Sequence, residues 1–495
     1  MELVVTLDEK LALPLHRQLH DGLRDAILSG RLGPGQKLPS TRTLSKRLSI
    51  SRTTVSQAYD ELEVEGYLAG RRGSGTYVAL TVPDGGESPA AFHGSQMRSA
   101  SRRMLIPRSR TFAQCMGKGV EREFRGRRDL PYDFHPGQGA WDLFPREVWR
   151  RLLARQWRSS WREAMDYGDP GGYAPLREEV ARYLARSRAV RCSPRQVVIV
   201  NGTQQALDLL ARILLEPGDL VAVENPGYAA ARQVFSSYKA QLVPVPVEQD
   251  GVAVERLVGS GARMALVAPS HQFPTGVTLS LPKRISLLGW ARSEGGLVIE
   301  DDYDSELRFE GRPLASLQGL DDHGVVVYLG SFSKVLFPSL RVGYAVLPPD
   351  LVEPLEEAKE LTDRQTPILE QQVLADFLRE GHFDRHLRRM RELYSARRQA
   401  LVESLRHHLG GTVSVMGANA GMHIMMSLPE HLEEADVVER AARAGVGVYP
   451  AAQCYCGASS GSALVLGYAA MTEEMIRRGV EKLAEVIMAR QQGEN

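Results

Sequence analysis

A lysine preceded by two serines follows the apolar run GVVVYLG at 324–330. The segment holds Ser331, Ser333 and Lys334, and Arg341 follows it closely. If the run is a buried strand, burial lowers the pKa of the amine and makes Lys334 a nucleophile that can form a Schiff base. The hydroxyls and the guanidinium are donors of the kind that a phosphate needs. A single lysine is more often a solvated side chain, so this segment alone leaves both interpretations open.

A second apolar run, GLVIED at 296–301, ends in Asp301 and Asp302, followed by Tyr303. Acidic residues at the end of a strand can form a metal-binding pair, cap a neighbouring element or bind a protonated ring nitrogen. This segment alone does not distinguish between these roles.

A third run, QVVIV at 196–200, leads through a turn into an apolar helix, and Gly202, Thr203 and Gln204 occupy the turn. Free N–H groups and the helix dipole can bind a phosphate at such a helix start. Many turns of this composition bind no ligand.

Together, the three segments meet the requirements of pyridoxal phosphate. A carboxylate such as Asp301 keeps the pyridine nitrogen protonated, a lysine such as Lys334 holds the aldehyde, and the turn residues bind the phosphate. Tyr228, in the segment ENPGY after another apolar run, can stack on the ring. Because ligands in open α/β sheets bind at the carboxyl ends of strands, we predict a cofactor site at one edge of a sheet.

The elements that would position these residues are short Val- and Ile-rich runs that alternate with helical stretches from about residue 131 onward. Such runs are typical of strands buried on both faces, and the alternation indicates an α/β domain. We predict this domain over 131–495, with a large subdomain at about 165–350 and a small subdomain in the C-terminal part.

The first eighty residues predict helices followed by a hairpin. An apolar stripe marks the first helix, and Ser40 and Ser51 are placed to cap a second and a third. The segment GYLAGRRGSGTYVA at 66–79 predicts two short strands around a turn. This is the arrangement of a winged helix-turn-helix, which we predict over 10–80. A helical protein-interaction domain is the alternative.

Residues 81–130 lack a helical or strand period and contain many arginines, as expected of a flexible basic linker. The whole chain has 495 residues and a net charge of +1, which indicates several domains and excludes a uniformly basic surface. Its four cysteines lack the spacing of a zinc site, so no metal is expected. There is no apolar run of bilayer length and no N-terminal signal pattern, so we expect a cytoplasmic protein without a membrane partner.

The segment LPSTRTLSKRLSISRTTVSQAYDELEVEGYLAGRRGSGTYV at 38–78 resembles the DNA-binding domain of GntR-type bacterial transcription regulators. The resemblance implies a double-stranded DNA operator as partner. The operator contacts that it implies are Arg42, Arg52, Thr53, Thr54, Arg71, Arg72 and Gly73.

The C-terminal part resembles fold-type I aminotransferases, for example in PSHQFPTG, IEDDYDSELRF and SFSKVLFPSLRVGY. This resemblance implies that Lys334 is the Schiff-base lysine and Asp301 the pyridinium partner. It implies that Tyr303 bonds the ring hydroxyl, that Tyr228 stacks on the ring and that Tyr167 reaches a neighbouring subunit's cofactor. The implied phosphate ligands are Gly202, Thr203, Gln204, Ser331, Ser333 and Arg341.

A GntR-type DNA-binding domain joined by a linker to an aminotransferase-like domain is the arrangement of MocR-type regulators, which the chain resembles outside the linker. The resemblance implies a homodimer, typically head-to-tail, that responds to pyridoxal phosphate or to a small amine or amino acid, with RNA polymerase as a further candidate partner. We therefore predict a transcription regulator rather than an enzyme. The alternatives are an active aminotransferase with an accessory DNA-binding domain, and a regulator that has lost its cofactor.

Three positions depart from the pattern of catalytic aminotransferases. Phe273 stands where an asparagine bonds the ring hydroxyl, and Val465 stands where an arginine binds the substrate carboxylate. Gln453 stands where some regulators of this kind have an arginine. These departures argue against efficient turnover and against the usual contact to a carboxylate, although Arg232 is a candidate substitute. The effector is left open among gamma-aminobutyrate, taurine, another amine and pyridoxal phosphate itself.

Overall fold

A computed structural model of the chain describes residues 13–71, 74–80, 130–159, 165–309, 314–459 and 461–489, together with residues 7, 8, 11 and 162. The chain divides into two compact units, residues 1–106 and 107–495. Arg72, Gly73 and residues 81–129 of the predicted linker lie outside the described residues. No helix in the described ranges is long and apolar enough to cross a lipid bilayer.

The first unit has the predicted winged helix-turn-helix arrangement. Its elements are α1 (Leu15–Leu28), α2 (Thr41–Leu48), α3 (Arg52–Val64), β1 (Leu68–Arg71) and β2 (Gly75–Val78). The Ser40 hydroxyl accepts from the N–H of Thr43, and the Ser51 hydroxyl accepts from the N–H of Thr54, so both serines cap their helices as predicted. The two strands pair antiparallel. The apolar faces of the three helices form one buried core with the hairpin.

The second unit contains fourteen strands and eleven helices within the described ranges. The strands are β3 (Tyr132–Asp133), β4 (Val197–Val200), β5 (Leu220–Asn225), β6 (Gln241–Glu248), β7 (Gly251–Val252), β8 (Met264–Val267), β9 (Leu297–Asp302), β10 (Val326–Ser331), β11 (Gly343–Val346), β12 (Val415–Met416), β13 (His423–Ser427), β14 (Val446–Gly447), β15 (Tyr449–Pro450) and β16 (Ala463–Gly467). The helices are α4 (Arg146–Ser159), α5 (Ala174–Arg188), α6 (Thr203–Leu214), α7 (Ala229–Ser237), α8 (Leu281–Glu294), α9 (Leu317–Leu320), α10 (Pro349–Asp363), α11 (Ile368–Arg379), α12 (His382–Leu409), α13 (Glu434–Arg443) and α14 (Glu473–Met488).

An eight-stranded sheet forms the centre of this unit, in the order β4-β11-β10-β9-β8-β5-β6-β7. The pairs β10–β9, β9–β8, β8–β5 and β5–β6 are parallel, whereas β11 runs antiparallel to both β10 and β4. The carboxyl ends of β4, β5, β8, β9 and β10 therefore share one edge with the start of β11. All residues of β4, β8 and β10 are buried, which explains their continuous apolar sequences.

The helices cover both faces of the sheet, and their core extends beyond the predicted range 165–350. Leu152 of α4 and Phe377 of α11 belong to the same buried cluster as Ile199 of β4. The large layer therefore begins earlier and ends later than the strand-like runs indicated, because helices outside that range cover one sheet face.

A smaller sheet of order β12-β13-β16-β15 lies in the C-terminal part and packs with α12, α13 and α14. The early strand β3 pairs in parallel with β14, and Phe134 is fully buried in the small-sheet core. The segment that precedes the large layer is therefore anchored to the C-terminal part, which the sequence patterns did not indicate.

Candidate functional site

A cavity of about 430 Å³ lies at the edge of the large sheet where the strand ends meet. Thr203 follows β4, Tyr228 follows β5, and Asp301 and Tyr303 lie at the end of β9. Lys334 lies in the turn after β10 and also lines the cavity. The shared direction of the parallel strands brings together residues that are far apart in the sequence, as the positions of the strand ends predicted.

Lys334 is half-buried at this edge, and its environment changes the basicity of the amine. Burial lowers the pKa of Lys334, while the nearby carboxylates of Asp304 and Asp301 act in the opposite direction. A lowered pKa increases the fraction of neutral amine at neutral pH, and this is the form that attacks an aldehyde.

Asp301 is 8% exposed, and its Oδ1 is buried without a hydrogen-bond partner in the part of the chain that the structure describes. Burial, with the charges of Asp302 and Asp304, raises the pKa of Asp301 to about 7, while Lys334 lowers it. A buried polar atom without a partner is costly. A protonated ring nitrogen in the cavity would satisfy this oxygen and stabilise its charge.

The pKa of Asp301 gives a pH-dependent test without any ligand. In the unfolded chain such a carboxyl ionises near pH 4, whereas in the folded protein it ionises near pH 7. The group therefore favours the folded state most at low pH, and this contribution is lost as the pH rises through 7. We expect the stability of Asp301→Asn relative to wild type to increase by about 2–3 kcal/mol from pH 5 to pH 8.

The measurement is urea unfolding of the cofactor-free proteins at both pH values, with the exposed Asp350→Asn as control. A difference for Asp301→Asn that stays constant across this range would contradict the raised pKa.

The residues predicted to bind a phosphate lie where β4, β10 and β11 meet. Gly202 has a φ of +89° and precedes α6, and a Cβ there would lie 2.8 Å from the Arg341 guanidinium. Arg341 itself donates to the carbonyl oxygen of Asn201. Ser331 Oγ accepts from the N–H of Ser333 at 3.1 Å, and the Ser333 Oγ is buried without a partner among the described residues. The start of α6 supplies N–H donors, and the nearby Ser331, Ser333 and Arg341 supply hydroxyl and guanidinium donors in the same small region.

Tyr228 lines the cavity and is hydrogen-bonded to Gln204. The Tyr228 hydroxyl donates to the Gln204 Oε1 at 3.4 Å, and the Gln204 amide donates to the carbonyl of Ala230 at 3.3 Å. Tyr228 remains 38% exposed, so its ring has room to stack against a planar ligand. Gln204 therefore orients the tyrosine as well as being a predicted phosphate ligand.

Tyr303 is held by a buried pair that the sequence did not indicate. Nδ1 of His271 lies 3.0 Å from the Asp304 carboxylate and 3.1 Å from the Tyr303 hydroxyl oxygen. Because a carboxylate only accepts, the Nδ1–H points toward it, and the tyrosine oxygen can only accept from the same N–H. The Tyr303 hydroxyl proton is thus directed away from His271.

His423 lies beside this pair and faces the cavity. Its ring nitrogen lies 3.2 Å from the Pro274 carbonyl oxygen, and burial and His271 hold the pKa of His423 well below its usual range. The ligand atoms of His271, Asp304 and His423 lie within 4.8 Å of one another, and all three are of metal-ligating types. The hydrogen bonds use Nδ1 of His271 and one nitrogen of His423, whereas Nε2 of His271 is buried without a partner among the described residues.

The segment at 135–137 also lines the cavity, although sequence reasoning missed it. Gly137 has a φ of +86°, and a Cβ at this position would collide with the Nζ of Lys334. The glycine-rich sequence HPGQG was the available signal, but nothing in it connects the segment to a lysine almost two hundred residues later.

Gly137→Ala therefore tests the position of the lysine. The added methyl must displace the flexible end of the Lys334 side chain from its present position. We therefore expect about a tenfold loss of affinity for pyridoxal phosphate in an absorbance titration, about 1.4 kcal/mol. Gly218→Ala is the matched control, since Gly218 also has a positive φ of +100° but its Cβ would meet nothing within 4 Å. Equal affinities in the two variants would show that Gly137 does not constrain Lys334.

Arg232 does not have the role that its sequence position suggested. Its guanidinium donates to the main-chain carbonyls of Gly227, Gln453, Cys454 and Tyr455. These bonds tie the loop after β15 to the turn after β5. Arg232 therefore stabilises the contact between these two segments. The expectation that it could replace the missing arginine as the group that binds a carboxylate is corrected by these contacts.

The other positions that departed from the family pattern are also in the described ranges. Val465 is fully buried in β16, and both amide atoms of Gln453 are buried without a partner among the described residues. Tyr167 is 74% exposed, with the Arg364 guanidinium 5.2 Å from its ring centre. That Tyr167 contacts the cofactor of a neighbouring subunit stays a prediction.

In the helix-turn-helix unit, four of the residues predicted to contact the operator lie at the start of α2 and α3. Arg42, Arg52 and Thr53 are exposed, and the Arg52 side chain donates to the Thr41 hydroxyl at 3.3 Å. The Thr54 hydroxyl lies 2.8 Å from that of Ser51, so this residue supports the helix cap as well. Arg71 lies at the end of β1, and Arg72 and Gly73 are outside the described residues.

Both units match known families. Residues 15–78 match the family described as bacterial regulatory proteins, gntR family, and residues 137–483 match aminotransferase class I and II. The chain is 38% identical to the probable rhizopine catabolism regulatory protein MocR of Rhizobium meliloti, over 98% of this chain and 96% of that protein. It is 29% identical to the pyridoxine biosynthesis transcriptional regulator PdxR of Corynebacterium glutamicum, over 98% and 99%.

Among solved structures, the chain is similar to the α-aminoadipate aminotransferase LysN of Thermus thermophilus, determined with N-(5'-phosphopyridoxyl)-L-leucine. The TM-score is 0.71 at 33% identity, and the match covers 77% of this chain and 97% of that one. The large sheet, its helices and the smaller C-terminal sheet therefore form an aminotransferase fold.

Proposed function

The chain belongs to the MocR-type GntR regulators, in which a GntR helix-turn-helix domain precedes an aminotransferase-like domain, and we propose that it is a transcription regulator that binds pyridoxal phosphate. In this proposal the first unit binds a double-stranded operator. The second unit binds the cofactor through Lys334 and responds to the cofactor itself or to a small amine.

The observation that carries this proposal is the cavity in which Lys334 and the partnerless oxygen of Asp301 lie together at the sheet edge. The donors at the opposite end suit a phosphate, and the partnerless hydroxyl of Ser333 belongs to them. These residues fit pyridoxal phosphate in each of its three reactive or charged parts.

When bound, pyridoxal phosphate supplies an aldehyde carbon that exchanges between amines. The chain's own residues provide the surroundings. Asp301 holds a proton at the ring nitrogen, and Tyr303, oriented by His271, donates to the ring oxygen. Gly202 and Arg341 lie at the phosphate end, and Gly137 leaves the space that the Lys334 amine occupies.

Regulation is a better account than catalysis for two reasons. The relatives that match the whole chain are named as regulators, and Phe273 and Val465 replace two contacts of catalytic aminotransferases. The specific observation in favour of an active enzyme is that Lys334 and Asp301 both line a cavity that suits pyridoxal phosphate. Turnover of amino donors with 2-oxo acids at a rate typical of enzymes would support that alternative.

We propose further that the regulator is a cytoplasmic homodimer, head-to-tail, and that RNA polymerase is a candidate partner at the promoter. The exposed ring of Tyr167 supports a dimer in which this residue reaches a neighbouring site. A ligand shifts operator binding only through its different affinity for two states of the protein. A coupling free energy of about 1–3 kcal/mol corresponds to about a 5- to 150-fold change in operator affinity.

The test is to measure operator affinity of the full chain with and without pyridoxal phosphate and a panel of amines. The duplex is selected from a random pool by the wild-type chain. We expect a change within the range above in the full chain, and less than about a twofold change after deletion of residues 85–125. A Gly/Ser segment of equal length at 85–125 serves as the control for linker length. Operator affinity that still responds to the ligand after the deletion would contradict coupling through the linker.

A further inference from the structure

The charged side chains that line the cavity are unequal in sign. Three carboxyl groups line it, those of Glu224, Asp301 and Asp304, against a single primary amine on Lys334. Among the described residues no arginine lines the cavity. A ligand that exchanges with the lysine therefore enters surroundings that favour positive charge and disfavour a second carboxylate.

Arg232 and Arg341, which contact segments near the cavity, already donate to main-chain carbonyls. Arg232 donates to four carbonyls in the loop that contains Cys454, a lining residue. Arg341 donates to the Asn201 carbonyl and lies against Gly202, at the end where the phosphate would bind. Recruiting either guanidinium for a ligand carboxylate would leave buried carbonyls or the phosphate end without their donor.

Glu224 is the carboxyl that is not needed for the cofactor. It lies at the end of β5 in the cavity wall, and its oxygens accept from the Ala268 N–H at 3.3 Å and the Gln272 amide at 3.2 Å. Burial raises the pKa of Glu224 to about 8, with the charge of Asp301 acting in the same direction. A cation near Glu224 would offset this cost and bind it as a charge pair.

Gln453 lies directly before Cys454, which lines the cavity. Its amide oxygen and nitrogen are buried without a partner among the described residues, in the loop that Arg232 ties to the turn after β5. An amide can donate to and accept from a hydroxyl or an ammonium group, but it offers a carboxylate no charge. Buried polar atoms without partners favour a ligand that completes their hydrogen bonds.

We infer that the effector of this chain is a primary amine that carries no carboxylate, and whose second polar group is a hydroxyl or another ammonium near Glu224. This inference rests on the proposed cofactor site, because the primary amine of the effector would exchange with Lys334. It separates amines and amino alcohols from amino acids, a distinction that the family assignment leaves open.

Three ligands of equal chain length test the inference on the full chain loaded with pyridoxal phosphate. They are 4-aminobutanoate, 4-amino-1-butanol and 1,4-diaminobutane, whose distal groups are anionic, neutral and cationic. Binding is followed by the change in visible absorbance of the cofactor. We expect the amino alcohol and the diamine to bind at least about tenfold more tightly than the amino acid, since each tenfold is only 1.4 kcal/mol.

Glu224→Gln locates the preference. We expect it to reduce the advantage of the diamine over the amino alcohol by about tenfold or more. Glu216→Gln, which removes an exposed carboxylate of the same unit, should leave all three affinities unchanged. Cofactor absorbance of each variant shows whether it is folded, and the wild-type comparison does not depend on either variant.

Each other outcome overturns the inference in a recognisable way. Tighter or equal binding of 4-aminobutanoate would show that a carboxylate is accepted. A cofactor band that none of the three ligands perturbs would overturn the effector class while leaving the cofactor site, and the proposed function, in place. If the chain binds no pyridoxal phosphate at all, both the inference and the proposed cofactor site fail.

Discussion

Lys334→Ala is expected to abolish the visible absorbance that wild-type protein develops with pyridoxal phosphate, and to lower the affinity for the cofactor by about 100-fold, which corresponds to about 2.7 kcal/mol. The reason is that Lys334 is the one lysine that lines the cavity among the described residues. Its lowered pKa provides the neutral amine that an aldehyde requires.

The matched control is Lys482→Ala, which removes a lysine from α14, outside the cavity lining. An absorbance titration compares both variants with wild type, and operator binding is measured in parallel. Lys334→Ala should still bind the operator, because its DNA-binding unit is unchanged. A wild-type band that survives in Lys334→Ala would disprove the assignment of this lysine, and the cofactor part of the proposal would fall with it.

Arg52→Ala is expected to lower operator affinity by about 10- to 100-fold, the effect of losing one specific contact of about 1–3 kcal/mol. Arg52 is the first residue of α3, it is exposed, and its bond to Thr41 holds it beside the start of α2. The N-terminal residues of a recognition helix are those that reach base edges in the major groove.

The control is Arg31→Ala, an exposed arginine in the turn after α1 that contacts Ser29. Affinities are measured at several salt concentrations. If Arg52 binds a phosphate, the slope of log affinity against log salt falls by about 1, whereas a base contact instead relaxes sequence preference. Operator affinity of Arg52→Ala equal to that of Arg31→Ala would show that Arg52 makes no specific contact with the operator.

Both variants act at positions where a short stretch of sequence was sufficient. The caps at Ser40 and Ser51 form as predicted because a cap depends on residues only three positions apart. The strands of the large sheet follow the Val- and Ile-rich runs for a similar reason, since each run is long enough to be buried on both faces. The polar residues at the strand ends then lie together because parallel strands share their direction.

The structure changed the interpretation where distant segments meet. Arg232 was a candidate carboxylate receptor by its position after Tyr228, yet four carbonyls, three of them in a loop more than two hundred residues later, use its donors. The sequence contains no signal for that pairing, because hydrogen bonds between loops depend on how the two layers pack.

The sequence by itself determined the two domain types, several Val- and Ile-rich strands of the large sheet, and the lysine, carboxylate and turn that together indicate the cofactor. These features rest on local periodicity, capping and strand ends. Only the tertiary structure decided that Gly137 abuts Lys334 and that His271 and Asp304 orient Tyr303. It also decided that Glu224 faces a cavity that no arginine of the described ranges lines. Such contacts join residues from separate layers, and their distances follow from packing rather than from spacing along the chain.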